Sequence, residues 1–208
     1  MIRILCADLS GMDEQAYAAL WERAHPERRA QAQRYRMHAD AQRCLAADAL
    51  LRRALGTDDY TVEKTPSGKP FVVGRERFFY NLSHSGERVV IAYGESEVGV
   101  DIERHRPDAD AAAIARRFFA PEEERYVMQD AAGMLARFYE IWTAKESYVK
   151  YLGTGLRTSL SSFSVLSPAP GVCFHRPALA DGYSLCLCAE EDSFSLELLC
   201  VRQLLSAP

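Results

Sequence analysis

Three carboxylates and a lysine fall at spacings that bring acids onto shared faces. In "VGVDIER", Asp101 and Glu103 are two apart on a strand pattern, so both leave one face while Val100 and Ile102 leave the other. In "WTAKESYVK", Glu146 lies one turn after Trp142 on an apolar helical stripe of Leu135, Phe138, Trp142 and Val149. A carboxylate on an inward stripe costs several kcal/mol unless a cation faces it. Paired acids on one strand face repel each other in the same way, and a third from a helix completes an all-oxygen donor set suited to Mg²⁺ or Mn²⁺. An incomplete carboxylate cage for Mg²⁺ leaves positions for water and phosphate oxygens, which points to a phosphate-containing substrate.

Other residues fit the same chemistry. Lys145 and Lys150 flank Glu146, and Lys150, four residues on, either forms a surface ion pair or neutralises a leaving phosphate. In "NLSHSG", Ser83 and His84 stand at a strand end as donors for a phosphate, although a single histidine is as readily structural. No G-x-S-x-G elbow surrounds either serine, which disfavours a Ser-His hydrolase. "PERRAQAQRYRMHADAQR" gathers Arg28, Arg29, Arg34, Arg36 and Arg43 into a positive patch, either a solvated helix face or a seat for a small polyanion. "GTGL" from Gly153 reads as a helix cap and turn.

These residues must be positioned by an α+β chain. The pattern begins with a strand at residues 2–7, then helices at 13–24 and 26–55, the second with room for one break. Turn-separated strands follow in "YTVEKTPSGKPFVV", "FFYNLSHSG", "RVVIAYGES" and "EVGVDIER". The second half repeats the scheme, with helices at 109–119, 121–129 and 131–151, then strands at "SFSVLS", "VCFHR", "YSLCLCAEE" and "FSLELLCVR". Helices followed by antiparallel strands, twice, predict two similar lobes, residues 1–105 and 106–208, divided near Pro107, with a ligand cleft between them.

Composition narrows the class. The chain has 208 residues, 48% of them hydrophobic and 26% charged, and a net charge of −4, which disfavours general nucleic-acid binding. The six cysteines form no C-x-x-C pair and read as reduced apolar residues, those of "LCLCAE" facing inward from a strand. The N-terminal apolar run is too short for a signal peptide, and no stretch approaches a membrane span, so a cytoplasmic location is expected.

Together, "GKPF", "FYNLSHS", "VGVDIER", "RFFAPEE" and "WTAKESYVKYLGTGL" resemble the 4′-phosphopantetheinyl transferases, in particular their two-lobed, surfactin-type class. The resemblance implies two pseudo-symmetric α/β lobes with coenzyme A in the cleft and Mg²⁺ held by Asp101, Glu103 and Glu146. It assigns Glu146, Lys150 and His84 to catalysis. It assigns Arg28, Arg43, Lys69, Pro70, Ser83, His84, Asp101, Lys145 and Lys150 to coenzyme A. Gln31 stands where the surfactin-type enzyme has a lysine, which removes one contact to the 3′-phosphate. The match at Glu103 favours this class over small trimeric synthases, and so implies a monomer.

The implied reaction moves 4′-phosphopantetheine from coenzyme A to a serine of an acyl or peptidyl carrier protein and releases adenosine 3′,5′-bisphosphate. The same acids would also serve a Mg²⁺-dependent hydrolase of a nucleotide diphosphate, or a non-catalytic coenzyme A or carrier-binding module. Arg116 and Arg117 beside Phe118 and Phe119 form a candidate docking surface for an acidic carrier helix, since one narrow helix face does not bury two successive aromatics.

Overall fold

The computed structural model describes residues 1–179 and 182–206, with Leu156 described by its backbone only. Strand β1 (Ile2–Asp8) leads into helices α1 (Glu14–Arg23), α2 (Pro26–Ala32) and α3 (His38–Leu55). The hairpin β2 (Val62–Lys64) and β3 (Pro70–Val72) precedes β4 (Phe79–Ser85), β5 (Arg88–Gly94) and β6 (Val98–Arg104). Then come α4 (Ala111–Phe118), α5 (Pro121–Val127), α6 (Met134–Leu152), β7 (Cys173–His175), β8 (Tyr183–Ala189), β9 (Phe194–Cys200) and α7 (Val201–Leu205). The fold is α+β, and the helical stretch expected across 26–55 is broken once, between α2 and α3.

Side-chain alternation stacks these elements in layers. On β1, Leu5 and Ala7 join the cluster under α1 and α3, whereas Ile2, Ile4 and Cys6 face the opposite way. Val89 and Ile91 of β5 follow the first set, Val90 and Ala92 the second. That second set meets Val98, Val100 and Ile102 of β6 and Leu185 and Leu187 of β8 in an apolar layer between two sheets. Beyond β6 and β8, a third cluster of Phe119, Phe138, Ile141 and Cys186 seats α4, α5 and α6.

Sheet membership crosses the middle of the sequence. One sheet runs β4-β5-β1-β9, with β9 parallel to β1, and the other runs β6-β8-β7. Thus β6, from before residue 105, sits in the sheet of the second half, and β9 closes the sheet of the first. The strand expected at "SFSVLS" does not form: Leu160–Ser162 is a 3₁₀ turn and the rest is irregular. Of the cysteines, Cys6, Cys44, Cys186 and Cys188 are buried, whereas Cys173 is half-buried and Cys200 exposed.

Candidate active site

The site forms where the edge of one sheet meets the edge of the other. β4 and β6 are not paired through their backbones. Instead, Asn81, Ser83 and Ser85, alternate residues on one face of β4, accept the backbone N–H groups of Val100, Ile102 and Arg104 at 3.0, 3.4 and 3.1 Å. Three side chains thereby satisfy edge donors that would otherwise be left without partners. The register of this joint also fixes the acids of β6. Ser83 donates to Asp101 Oδ1 at 2.8 Å, and Ser85 donates to Glu103 Oε2 at 2.6 Å.

α6 supplies the other wall. Its backbone lies directly on Gly99, where an added Cβ would stand 2.0 Å from the Ser147 carbonyl oxygen and 2.4 Å from the Tyr151 nitrogen. This approach brings Lys150 onto β6: its ammonium donates to Asp101 Oδ1 at 2.6 Å, to Ser83 Oγ at 3.0 Å and to the Val100 carbonyl at 3.2 Å. Glu146, one turn earlier, shares the same face. Burial, with Asp101 and Glu103 adding repulsion, pushes the Glu146 carboxyl above its usual range. Glu103 is also raised, chiefly by burial and further by Asp101, against the hydrogen bond from Ser85.

The acids therefore share one field, yet they do not close into a cage. Among the described residues, no three His, Cys, Asp or Glu side chains lie close enough together to hold a metal ion. Asp101 is 4% exposed, with Oδ1 occupied by Lys150 and Ser83, while Oδ2 is buried without a hydrogen-bond partner. A buried carboxylate oxygen left in that state costs more than about 1–3 kcal/mol, so it marks a position where a cation or donor fits.

Lys150 divides two compartments. One, about 400 Å³, is lined by Arg28, Gln31, Tyr35, Ser83, His84 and the β6 acids. Here Arg28 donates to Gln31 Oε1 at 3.1 Å, and Gln31 donates to the Tyr35 hydroxyl at 3.0 Å. Gln31, expected only as a lost contact, thus holds Arg28 in place. His84 stands at the open rim, and partial burial, Arg43 and Lys150 lower its pKa, favouring the neutral ring. Arg43 itself donates to the Gly86 carbonyl at 2.8 Å and pairs with Asp40. The second compartment, about 520 Å³, is lined by Lys69, Pro70, Phe118, Val149 and Leu160, together with Glu146 and Lys150. Lys69 donates to the carbonyls of Val98 and Tyr151 at 3.2 and 3.0 Å and pairs with Glu97, tying the β2–β3 turn to α6.

Lys145 corrects the sequence reading, because it does not reach the cleft. It is fully buried, pairs with fully buried Glu123 at 2.6 Å, and donates to the carbonyls of Leu160 and Phe163 at 2.7 Å each. Glu123 in turn accepts the N–H groups of Ala120 and Val165. Together they strap residues 160–165, of which Leu160 walls the second compartment, and claim the Phe163 carbonyl and Val165 N–H that a strand at "SFSVLS" would have paired. Burial holds the Lys145 ammonium below its usual pKa range, against the opposing pull of Glu123.

Asn81, Ser85, Gly99 and Glu123 were not singled out from sequence. The alternation Asn-x-Ser-x-Ser on an edge strand was the available signal for the first two, and Gly99 next to a buried strand face was the signal for close backbone approach. Gly153 caps α6 with φ 63°, as "GTGL" implied.

The chain as a whole is similar to known proteins. The profile of the 4′-phosphopantetheinyl transferase superfamily matches residues 97–199, which includes β6, α6 and their acids. The 4′-phosphopantetheinyl transferase psf-1 of Bacillus pumilus is 33% identical over 201 residues, covering 88% of this chain and 85% of that protein. The 4′-phosphopantetheinyl transferase Sfp of Bacillus subtilis (strain 168) is 30% identical over 196 residues, covering 85% of this chain and 86% of its own. The 4′-phosphopantetheinyl transferase gsp of Aneurinibacillus migulanus is 32% identical over 174 residues, or 75% and 72% of the two chains. This chain belongs to the 4′-phosphopantetheinyl transferase superfamily and is an enzyme of that class. No helix among the described residues is long and apolar enough to cross a membrane.

Proposed function

We propose that this enzyme transfers 4′-phosphopantetheine from coenzyme A to a serine hydroxyl of an acyl or peptidyl carrier protein, releasing adenosine 3′,5′-bisphosphate. The observation that carries this reading is the junction at Lys150, whose ammonium pairs with Asp101 and stands between a basic compartment lined by Asp101 and Glu103 and a second compartment lined by Glu146. A diphosphate placed there would have its nucleotide end towards Arg28 and His84. The names of the relatives support the transferred group, and Asp101, Glu103, Glu146 and Lys150 all come from one chain, so a monomer suffices to form the junction.

Asp101, Glu103 and Glu146 would hold Mg²⁺, or Mn²⁺: the donors are all hard oxygens, and Asp101 Oδ2 has no other partner. The bound ion supplies charge neutralisation on the diphosphate. Glu146, directly or through a water, accepts the serine proton as the serine oxygen bonds to the β-phosphorus and the bond from that phosphorus to the bridging oxygen breaks. The Lys150 ammonium offsets the charge left on the departing bisphosphate, and His84 donates a hydrogen bond at its rim. Asp101 and Ser83 keep Lys150 aimed at that position before substrate arrives.

The test is to incubate the enzyme with coenzyme A, Mg²⁺ and an apo carrier and to weigh the carrier by mass spectrometry. One added phosphopantetheine with stoichiometric bisphosphate release is expected. Cleaved coenzyme A beside an unmodified carrier would replace this reading with hydrolysis.

A further inference from the structure

A second buried polar cluster lies behind the basic compartment, and none of the chemistry above uses it. Asp48 on α3 is wholly buried. Its Oδ1 accepts the Tyr60 hydroxyl, and its Oδ2 accepts Arg52 Nε at 3.1 Å and the backbone N–H of His25 at 3.3 Å. Arg52, itself 2% exposed, donates again to Asp58 Oδ1 at 2.8 Å. Burial and the Asp48 charge push the Tyr60 phenol far up, so it stays a donor. Replacing such a buried ionic cluster with apolar residues is often neutral or stabilising, so stability alone is a weak account of it.

What the cluster holds is the start of α2. His25 is the residue before that helix, and its own side chain makes no capping bond. Its ring packs on Tyr60, with centroids 5.1 Å apart. With seven residues, α2 is too short to be stable alone, and depends on its ties to α3. Two are polar: Asp48 at the helix start, and Cys44 Sγ donating to the Arg28 carbonyl at 3.8 Å. Arg28 stands three residues after His25, in the first turns of the helix that Asp48 anchors. We propose that Asp48 is a positioning residue for phosphate recognition: by fixing the start of α2 it sets the Arg28 guanidinium in the basic compartment, and so governs selectivity for the 3′-phosphate of coenzyme A. This rests on the reading of that compartment given above.

The test is calorimetric titration of wild type and Asp48→Asn with coenzyme A and with 3′-dephospho-coenzyme A at constant Mg²⁺. Loss of a charged hydrogen bond from Arg28 to the 3′-phosphate weakens binding about tenfold or more, so Asp48→Asn is expected to weaken coenzyme A binding about tenfold. Binding of 3′-dephospho-coenzyme A and turnover at saturating coenzyme A should be nearly unchanged. In an Arg28→Ala background, Asp48→Asn should cost coenzyme A binding little further, since both act through one guanidinium. If Asp48→Asn does not fold, Tyr60→Phe, which removes one donor from the cluster, gives the same comparison with a smaller loss. A folded variant with the wild-type ratio of affinities, or one that loses both nucleotides equally, overturns the proposal. A wild-type protein that binds the two nucleotides equally overturns the assignment of the compartment itself, a distinct failure visible before any variant is made.

Discussion

Glu146 and Lys145 are neighbours in sequence with opposite fates, and the reason is helix geometry. Successive helical residues point about 100° apart, whereas residues four apart share a face, so Glu146 goes with Lys150 and Lys145 turns inward to Glu123. The W-x-x-K-E pattern made both residues legible as chemistry, but Lys145's role depended on Glu123, a partner twenty-two residues away that no local pattern marks. Each residue yields a prediction. The raised pKa of Glu146 means that its charged form is disfavoured in the fold, so its contribution to stability is lost as pH rises through that pKa and removing the charge at neutral pH is favourable. Glu146→Gln should abolish carrier modification while its melting temperature without divalent cations holds or rises; near wild-type turnover would remove Glu146 from the mechanism. Lys145→Met leaves a buried carboxylate without its cation and should cost about 3–5 kcal/mol in denaturant unfolding, partly recovered by adding Glu123→Gln. Unchanged stability with lost coenzyme A affinity would instead return Lys145 to the ligand.

At the scale of elements, the strands and helices that carry the motifs were legible because their alternation is strict: Val98, Val100 and Ile102 face the inter-sheet layer, and Gly99, Asp101 and Glu103 face away from it. What was not legible is how β4 meets β6. A strand edge satisfied by asparagine and serine side chains has no hydrophobic signature, and the three links only become recognisable once both strands are in place. "SFSVLS" shows the converse, since its β-like pattern was overridden by the buried Lys145–Glu123 pair. The closest tolerance in the site is that of α6 on Gly99. A methyl group 2.0 Å from the Ser147 carbonyl cannot be accommodated without moving the α6 backbone, because the three atoms nearest to it, Ser147 O and the Tyr151 N and Cα, all belong to main chain. Gly99→Ala should therefore cost about 1–3 kcal/mol of stability and, by drawing Lys150 off Asp101, lose most transfer activity even where the protein remains folded. Wild-type values of both melting temperature and activity would show that α6 has slack the geometry does not.

Over the whole molecule, the sequence order suggested two consecutive halves, whereas the sheets exchange strands: β6 joins β8 and β7, and β9 joins β1. Pairing of strands almost two hundred residues apart leaves no local trace, so only the composition of each strand could be read, not its address. Phe118, at the end of α4, lies on the wall of the compartment that Glu146 also lines. Of the two phenylalanines, Phe119 fills the core at 5% exposure, and Phe118 is half-buried with the Arg117 guanidinium 5.0 Å above its ring. Arg116 is exposed and lies 3.9 Å from Glu124, so its charge is already partly countered. Arg117 is thus the better placed of the two to meet an acidic carrier approaching with its serine towards Glu146. Charge at an exposed rim acts mainly on encounter and is screened by salt. Arg117→Glu should raise the carrier KM several-fold at low ionic strength and flatten its salt dependence, with Arg116→Glu smaller in effect and the coenzyme A KM unchanged in both. Carrier kinetics that stay the same for Arg117→Glu from low to high salt would place the docking surface on another face of the cleft.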